Sequence, residues 1–77
     1  MEEQILEDFG AHLRSLRLAA GLSQEQLALK AGLDRTYVSG VERGLRNLSL
    51  LNLVKIAQAL ELTLPELVDF SENSRHG

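Results

Sequence analysis

Three glycines, Gly21, Gly32 and Gly44, divide this 77-residue chain into short segments, and their placement constrains the fold more than any other feature. Each follows a stretch in which apolar residues recur every three or four positions, the spacing of one helical face. Glycine enters the left-handed conformation that ends a helix at little steric cost, so each reads as a stop. The apolar–polar alternation of a half-buried strand is absent. The first helix is expected over residues 4–20, where Leu6, Phe9, Leu13, Leu16 and Ala20 form one stripe. The second, residues 24–31, starts from Ser23 as N-cap, with Gln26 completing a capping box. The third runs from Asp34, its N-cap, to about residue 42. After an irregular stretch at residues 45–48, a fourth helix runs from the N-cap Ser49 to residue 60. A fifth starts at a second capping box, Thr63 with Glu66 around Leu64-Pro65, and ends near residue 70. The polar residues 71–77 are expected to fray. The expected fold is therefore all-α: one domain over residues 1–77 with a core of about 4–70.

So short a chain buries only roughly 60% of the surface it exposes when unfolded. It has no cysteine, hence neither a disulfide nor a thiolate metal site, yet 44% of it is apolar. A second copy of the chain is the natural further burial. No apolar run approaches the roughly 18 residues of a membrane span. The start is acidic rather than signal-like, so a cytoplasmic protein is expected. The histidines, His12 on the first helix and His76 in the tail, have no metal spacing with carboxylates, and no glycine-rich phosphate loop occurs. Neither enzymatic chemistry, cofactor nor metal is expected, and His12 reads as a surface residue.

The formal charge of -3 would by itself argue against nucleic acid. Its distribution argues the other way. Glu2, Glu3, Glu7 and Asp8 open the chain, and residues 56–77 are again acidic. Between them, Arg14, Arg17, Lys30, Arg35, Arg43, Arg46 and Lys55 face only Glu25, Asp34 and Glu42. A basic centre lies between acidic ends, which are expected to stay away from DNA.

Gly32-Leu33-Asp34 joins the second and third helices in the short turn of a helix–turn–helix. With residues about 100° apart, Tyr37, Val38 and Val41 form a compact apolar arc on the third helix. Arg35, Thr36, Ser39, Gly40 and Arg43 fall opposite. Arginine can bond guanine bidentately, and threonine can meet a thymine methyl or a phosphate. Gly40 costs about 1 kcal/mol relative to alanine inside a helix, and close approach to DNA is the expected reason. Tyr37 belongs to the core by its angle, with a phosphate contact through its hydroxyl as the alternative. Arg43 either meets the DNA backbone or offsets the helix dipole.

Residues 9–68 resemble the helix–turn–helix domains of the phage Cro and repressor (XRE) family, whose fold is the five-helix, lambda-repressor-like one. The resemblance is carried by Leu13-Arg14-Ser15-Leu16-Arg17, Gly21 to Ala28, Gly32-Leu33, Val41-Glu42-Arg43-Gly44 and Leu53 to Leu60. The run from Leu33 to Gly44, with Arg46-Asn47 and Ser49-Leu50, looks most like the controller proteins of bacterial restriction–modification systems. The resemblance implies that Gln24 binds a DNA phosphate, that Arg35 and Thr36 read bases beside Ser39 and Gly40, and that Arg46 and Asn47 reach the backbone or minor groove. It implies a buried Arg17–Glu42 ion pair. It implies control of the protein's own promoter and that of an endonuclease, with activation at low and repression at high occupancy by two dimers. No small-molecule effector is expected. Activation needs an RNA polymerase contact, for which exposed Glu25 is the candidate. An antitoxin whose main partner is a protein is the alternative.

Leu51 falls outside the core face of the fourth helix, and Leu64, Leu67, Val68 and Phe70 are an apolar excess on the fifth. A two-fold homodimer through these residues is expected. It would set two recognition helices about 34 Å apart, one turn of a double-stranded, pseudo-palindromic operator.

Overall fold

A computed structural model of the protein describes residues 2–70. The expected fraying of residues 71–77, and His76, lie outside the described residues. The elements are α1 (Glu2–Ala19), α2 (Gln24–Ala31), α3 (Arg35–Glu42), α4 (Leu50–Ala59) and α5 (Leu64–Leu67), with no strand among the described residues. All four N-caps expected from the sequence are formed. Ser23 accepts from the Gln26 amide, Asp34 from Thr36, Ser49 from Asn52 and Thr63 from Glu66, with capping boxes at Ser23 and Thr63. These bonds satisfy amides that a helix start otherwise leaves unpaired.

The first four helices end in one manner. Just past the helix an amide returns to the carbonyl five residues back: Leu22 to Arg17, Leu33 to Ala28, Leu45 to Gly40 and Leu62 to Ala57. The residue before each returning amide is left-handed, with φ of 75°, 70° and 76° at Gly21, Gly32 and Gly44. At the fourth such position the residue is Glu61, with φ of 59°. Nothing in its side chain signals that conformation; the turn is imposed by packing on both sides. The fifth helix stops at Leu67 rather than near residue 70. The chain leaves helical geometry at Val68 and carries Phe70 back against Phe9 of α1, edge to face at 5.6 Å between ring centroids.

Every helix contributes to one core. Leu13 of α1, Leu27 of α2, Val38 and Val41 of α3, Ile56 of α4 and Leu67 of α5 are its most completely buried side chains. Full burial of such a side chain contributes about 1.5–3 kcal/mol, so Leu67 alone can hold the single turn of α5 in place. Ala20, expected on the buried stripe of the first helix, is exposed because α1 has ended at Ala19. His12 is half-buried rather than a surface residue. Its ring stacks on Phe70 at 5.6 Å, and its Nε2 is buried without a hydrogen-bond partner.

Helix α1 crosses the end of α3 backbone to backbone, and Gly10 permits it. A Cβ at that position would lie 2.5 Å from the Val41 carbonyl oxygen and 2.6 Å from that of Glu42. Gly10→Ala gains about 1 kcal/mol of helix propensity but must push two backbones apart. Overpacking costs about 1–3 kcal/mol or more where the neighbour cannot yield. A net loss of about 1–2 kcal/mol is expected, lowering Tm by roughly 4–8 °C per kcal/mol. Thermal unfolding at fixed protein concentration checks this; an unchanged Tm would mean that α1 rides off α3 without penalty.

Candidate nucleic-acid interface

Helix α3 is anchored from below. Arg17 of α1, itself only 6% exposed, reaches Glu42 at the end of α3 through two bonds. Nε donates to Oε2 at 2.6 Å and a terminal nitrogen to Oε1 at 3.0 Å. Its remaining nitrogen donates to the carbonyl of Leu22 at 2.8 Å, just past the Gly21 turn. The bond to Glu42 raises Arg17 above its ordinary pKa, with burial acting against it; the guanidinium stays charged at any working pH. Gln24, the first residue of α2, donates its side-chain amide to the same Glu42 oxygen at 3.0 Å. The ion pair implied by the resemblance is thus formed, and Gln24 belongs to it. In the free protein this amide serves the scaffold.

The exposed face of α3 starts with Arg35 and Thr36, both exposed, with Ser39 half-exposed beyond them. The Thr36 hydroxyl donates to Asp34 Oδ1 at 2.9 Å, and the Thr36 amide bonds the same oxygen at 3.1 Å. Thr36 is therefore held in one orientation, its proton committed to Asp34 and its methyl and oxygen lone pairs left uncommitted. Arg43 caps α3 and is exposed.

One expectation is corrected here. Gly40 does not present bare backbone to solvent: it is buried, and the side chain of Arg46 covers it. Tyr37 is half-buried, and its hydroxyl is already used: it donates to the Asn47 carbonyl at 3.0 Å and accepts from the Asn52 side chain at 3.1 Å. Tyr37 thus sits against the core, as its helical angle indicates, with its hydroxyl bonded within the free protein. Asn47 also accepts, through its side chain, from the Leu48 amide at 2.8 Å. Arg46 and Asn47 are both exposed. The loop bearing them is thereby folded onto α3 and the start of α4. Glu7 lies against Gly44, where an added Cβ would be 2.9 Å from the Glu7 Cα. The acidic first helix therefore comes up to the C-terminal end of α3.

A helix-turn-helix family model matches residues 13–67. Control protein C.BamHI of Bacillus amyloliquefaciens is 47% identical over 64 residues, 82% of this chain and 79% of that protein. The crystal structure of the restriction-modification controller protein C.AhdI from Aeromonas hydrophila superposes with a TM-score of 0.79 at 60% identity, covering 80% of this chain and 94% of that one. The chain belongs to the helix–turn–helix family of restriction–modification controller proteins. A further member, C.Esp1396I, solved as a tetramer in complex with its natural 35 base-pair operator, matches with a TM-score of 0.75 at 40% identity, over 80% of this chain and 82% of that one.

Within this controller-family fold, the apolar residues expected at a dimer surface divide. Leu51 is 63% exposed and Val68 40% exposed. Leu67 is not available: it is 0% exposed, at the centre of the core. Leu64 and Phe70 are partly buried against that core. The counting of apolar residues on helix five could not tell which were already used inside. Exposed Leu50 and Ile5 were missed, as was a hollow of about 210 Å³ lined by Ile5, Leu6, Phe9, Leu48, Leu53, Val68 and Phe70 with Asn47. Gly10 and Asn52 were also missed. Gly10 carried a signal, a glycine inside an otherwise periodic helix; Asn52 carried none. Glu25 is exposed at the start of α2, as expected.

The bonds from Thr36, backbone first and then side chain, hold the Asp34 carboxyl below the usual aspartate range. Its folded pKa lies below the unfolded value of about 3.9. The stabilisation is present above that value and is lost as pH falls through the folded one. Asp34→Asn keeps a capping oxygen but cannot titrate. The parent's Tm advantage over Asp34→Asn should be constant from pH 7 to 5 and shrink below about pH 4. A difference that does not change with pH would show that the charge of the cap is unimportant.

Proposed function

We propose that this chain is a sequence-specific regulator of transcription that binds double-stranded operator DNA as a homodimer and controls the genes of a restriction–modification system. The observation that carries this reading is the face of α3: Arg35, Thr36 and Ser39 stand clear of the core, while Arg17, Glu42 and Gln24 fix the helix from beneath. Its family membership supports the same reading. Arg35 and Thr36 read bases in the major groove. Arg46 and Asn47 meet the backbone or minor groove, and Gln24 and Arg43 meet phosphates. The operator complex of the tetrameric relative C.Esp1396I supports two cooperating dimers here, with activation at low occupancy and repression at high. Exposed Leu51 and Val68, the latter lining the apolar hollow, form the dimer surface. Glu25 contacts RNA polymerase.

Selection of bound sequences from random duplex DNA at two salt concentrations tests the reading. A pseudo-palindromic site bound more weakly at higher salt is expected. Arg35→Ala should relax preference at one base pair per half-site, at a cost of about 1–3 kcal/mol. Recovery of no site, or binding indifferent to salt, would overturn DNA recognition. Regulation is tested by transcription in vitro alongside sedimentation. Leu51→Glu should shift the protein to monomer and lose promoter control at concentrations where the parent is saturating. Glu25→Ala should stay dimeric, bind DNA as the parent does, and lose activation. Activation lost only in step with DNA affinity would remove the polymerase role of Glu25.

A further inference from the structure

We propose that Gly40 is a positioning residue for Arg46: the recognition helix carries a groove with no side chain in its middle, and Arg46 lies in it with its guanidinium held by Tyr37. This rests on the DNA-binding reading above and deepens it.

Gly40 belongs to the outward arc of α3, yet it is buried, and what covers it comes from the next loop. A Cβ on residue 40 would stand 2.5 Å from Arg46 Cγ, 3.5 Å from Cδ and 3.6 Å from Cβ. The whole lower stem of Arg46 therefore runs across this position. Any side chain larger than hydrogen would displace it, because real carbon atoms do not approach so closely. The far end of Arg46 is equally defined. Its guanidinium carbon lies 5.2 Å from the centroid of the Tyr37 ring, a distance at which the cation is attracted to the ring face. Tyr37 precedes Gly40 by three residues, so the two are neighbours on one helical surface. The Arg46 side chain thus passes from loop to Gly40 to Tyr37, toward the end of α3 that bears Arg35 and Thr36.

Tyr37 is in turn unable to swing aside. Its hydroxyl is held from both directions, donating to the Asn47 carbonyl and accepting from Asn52. The ring that holds the guanidinium of Arg46 is thereby tied to the residue following Arg46. A free arginine on an exposed loop would lose much rotamer freedom on meeting DNA. Here that ordering is already achieved in the unbound protein. This accounts for a glycine in the interior of an eight-residue helix, where alanine would otherwise be favoured. It replaces close approach of the backbone to DNA as the reason for Gly40.

The seat is tested first without DNA. In the parent protein, NMR should place the Arg46 side-chain protons upfield of their random-coil shifts, because they lie against the Tyr37 ring. Random-coil shifts there would overturn the proposal whether or not the protein binds DNA. In Gly40→Ala the upfield shifts should vanish while Tm stays level or rises. Affinity for the selected operator should then fall about 3- to 10-fold, the scale of one side chain losing its prior order. In an Arg46→Ala background, Gly40→Ala should change affinity less than twofold, since the residue it positions is gone. An equal loss in both backgrounds would overturn positioning and return Gly40 to direct contact with DNA. Should Gly40→Ala lower Tm instead, the parent's Arg46 shifts decide alone. Failure of the parent to bind any duplex would overturn the DNA-binding reading, and the Arg46 shifts would still test the seat.

Discussion

The Arg17 guanidinium and the Glu42 carboxylate are both removed from water in this protein, and the placement of the recognition helix depends on their meeting. Their side chains are only 8% and 3% exposed. Removing one partner from such a pair typically costs about 3–5 kcal/mol, because the other is left buried and charged. The pair is tolerated because little is left unsatisfied: two guanidinium nitrogens serve the carboxylate, the third serves the Leu22 carbonyl, and Gln24 adds a bond to Glu42. These contacts join the end of α1, the turn after it, the start of α2 and the end of α3.

Around that pair, two close approaches set the position of α3. Below, Gly10 brings the α1 backbone against the Val41 and Glu42 carbonyls; above, Gly40 admits the stem of Arg46. The same helix is thus gripped on its inner side by a helix and on its outer side by a loop. The face between, bearing Arg35, Thr36 and Ser39, is left exposed on a rigid support, which is the arrangement a base-reading surface requires.

Local signals were legible along the chain wherever the cause was local. Each N-cap depends on a hydroxyl or carboxylate a few residues from the amide it meets, and three left-handed stops depend on a residue type that favours them. Those features matched to within one or two residues for most helix boundaries. Leu51 was legible as exposed because helical angle alone separates it from the core face of α4. Leu67 and Gly40 were misplaced for the opposite reason, and the tether on the Tyr37 hydroxyl was not legible at all. Their surroundings come from α1, from residues 46 and 47 and from α4, and no periodicity within a helix records what another segment brings. Glu61 shows the same limit, adopting a glycine-like φ because the chain on either side is packed.

The order of residues therefore determined which segments are helical, where they begin and end, and which face of each is apolar. Those choices rest on hydrogen bonds and spacing within a few residues. Tertiary structure alone decided which apolar residues are consumed by the core, that Gln24 joins the ion pair, and that Arg46 lies across Gly40 on Tyr37. These are contacts between residues distant in sequence or across a turn, settled only when five helices compete for the same small volume.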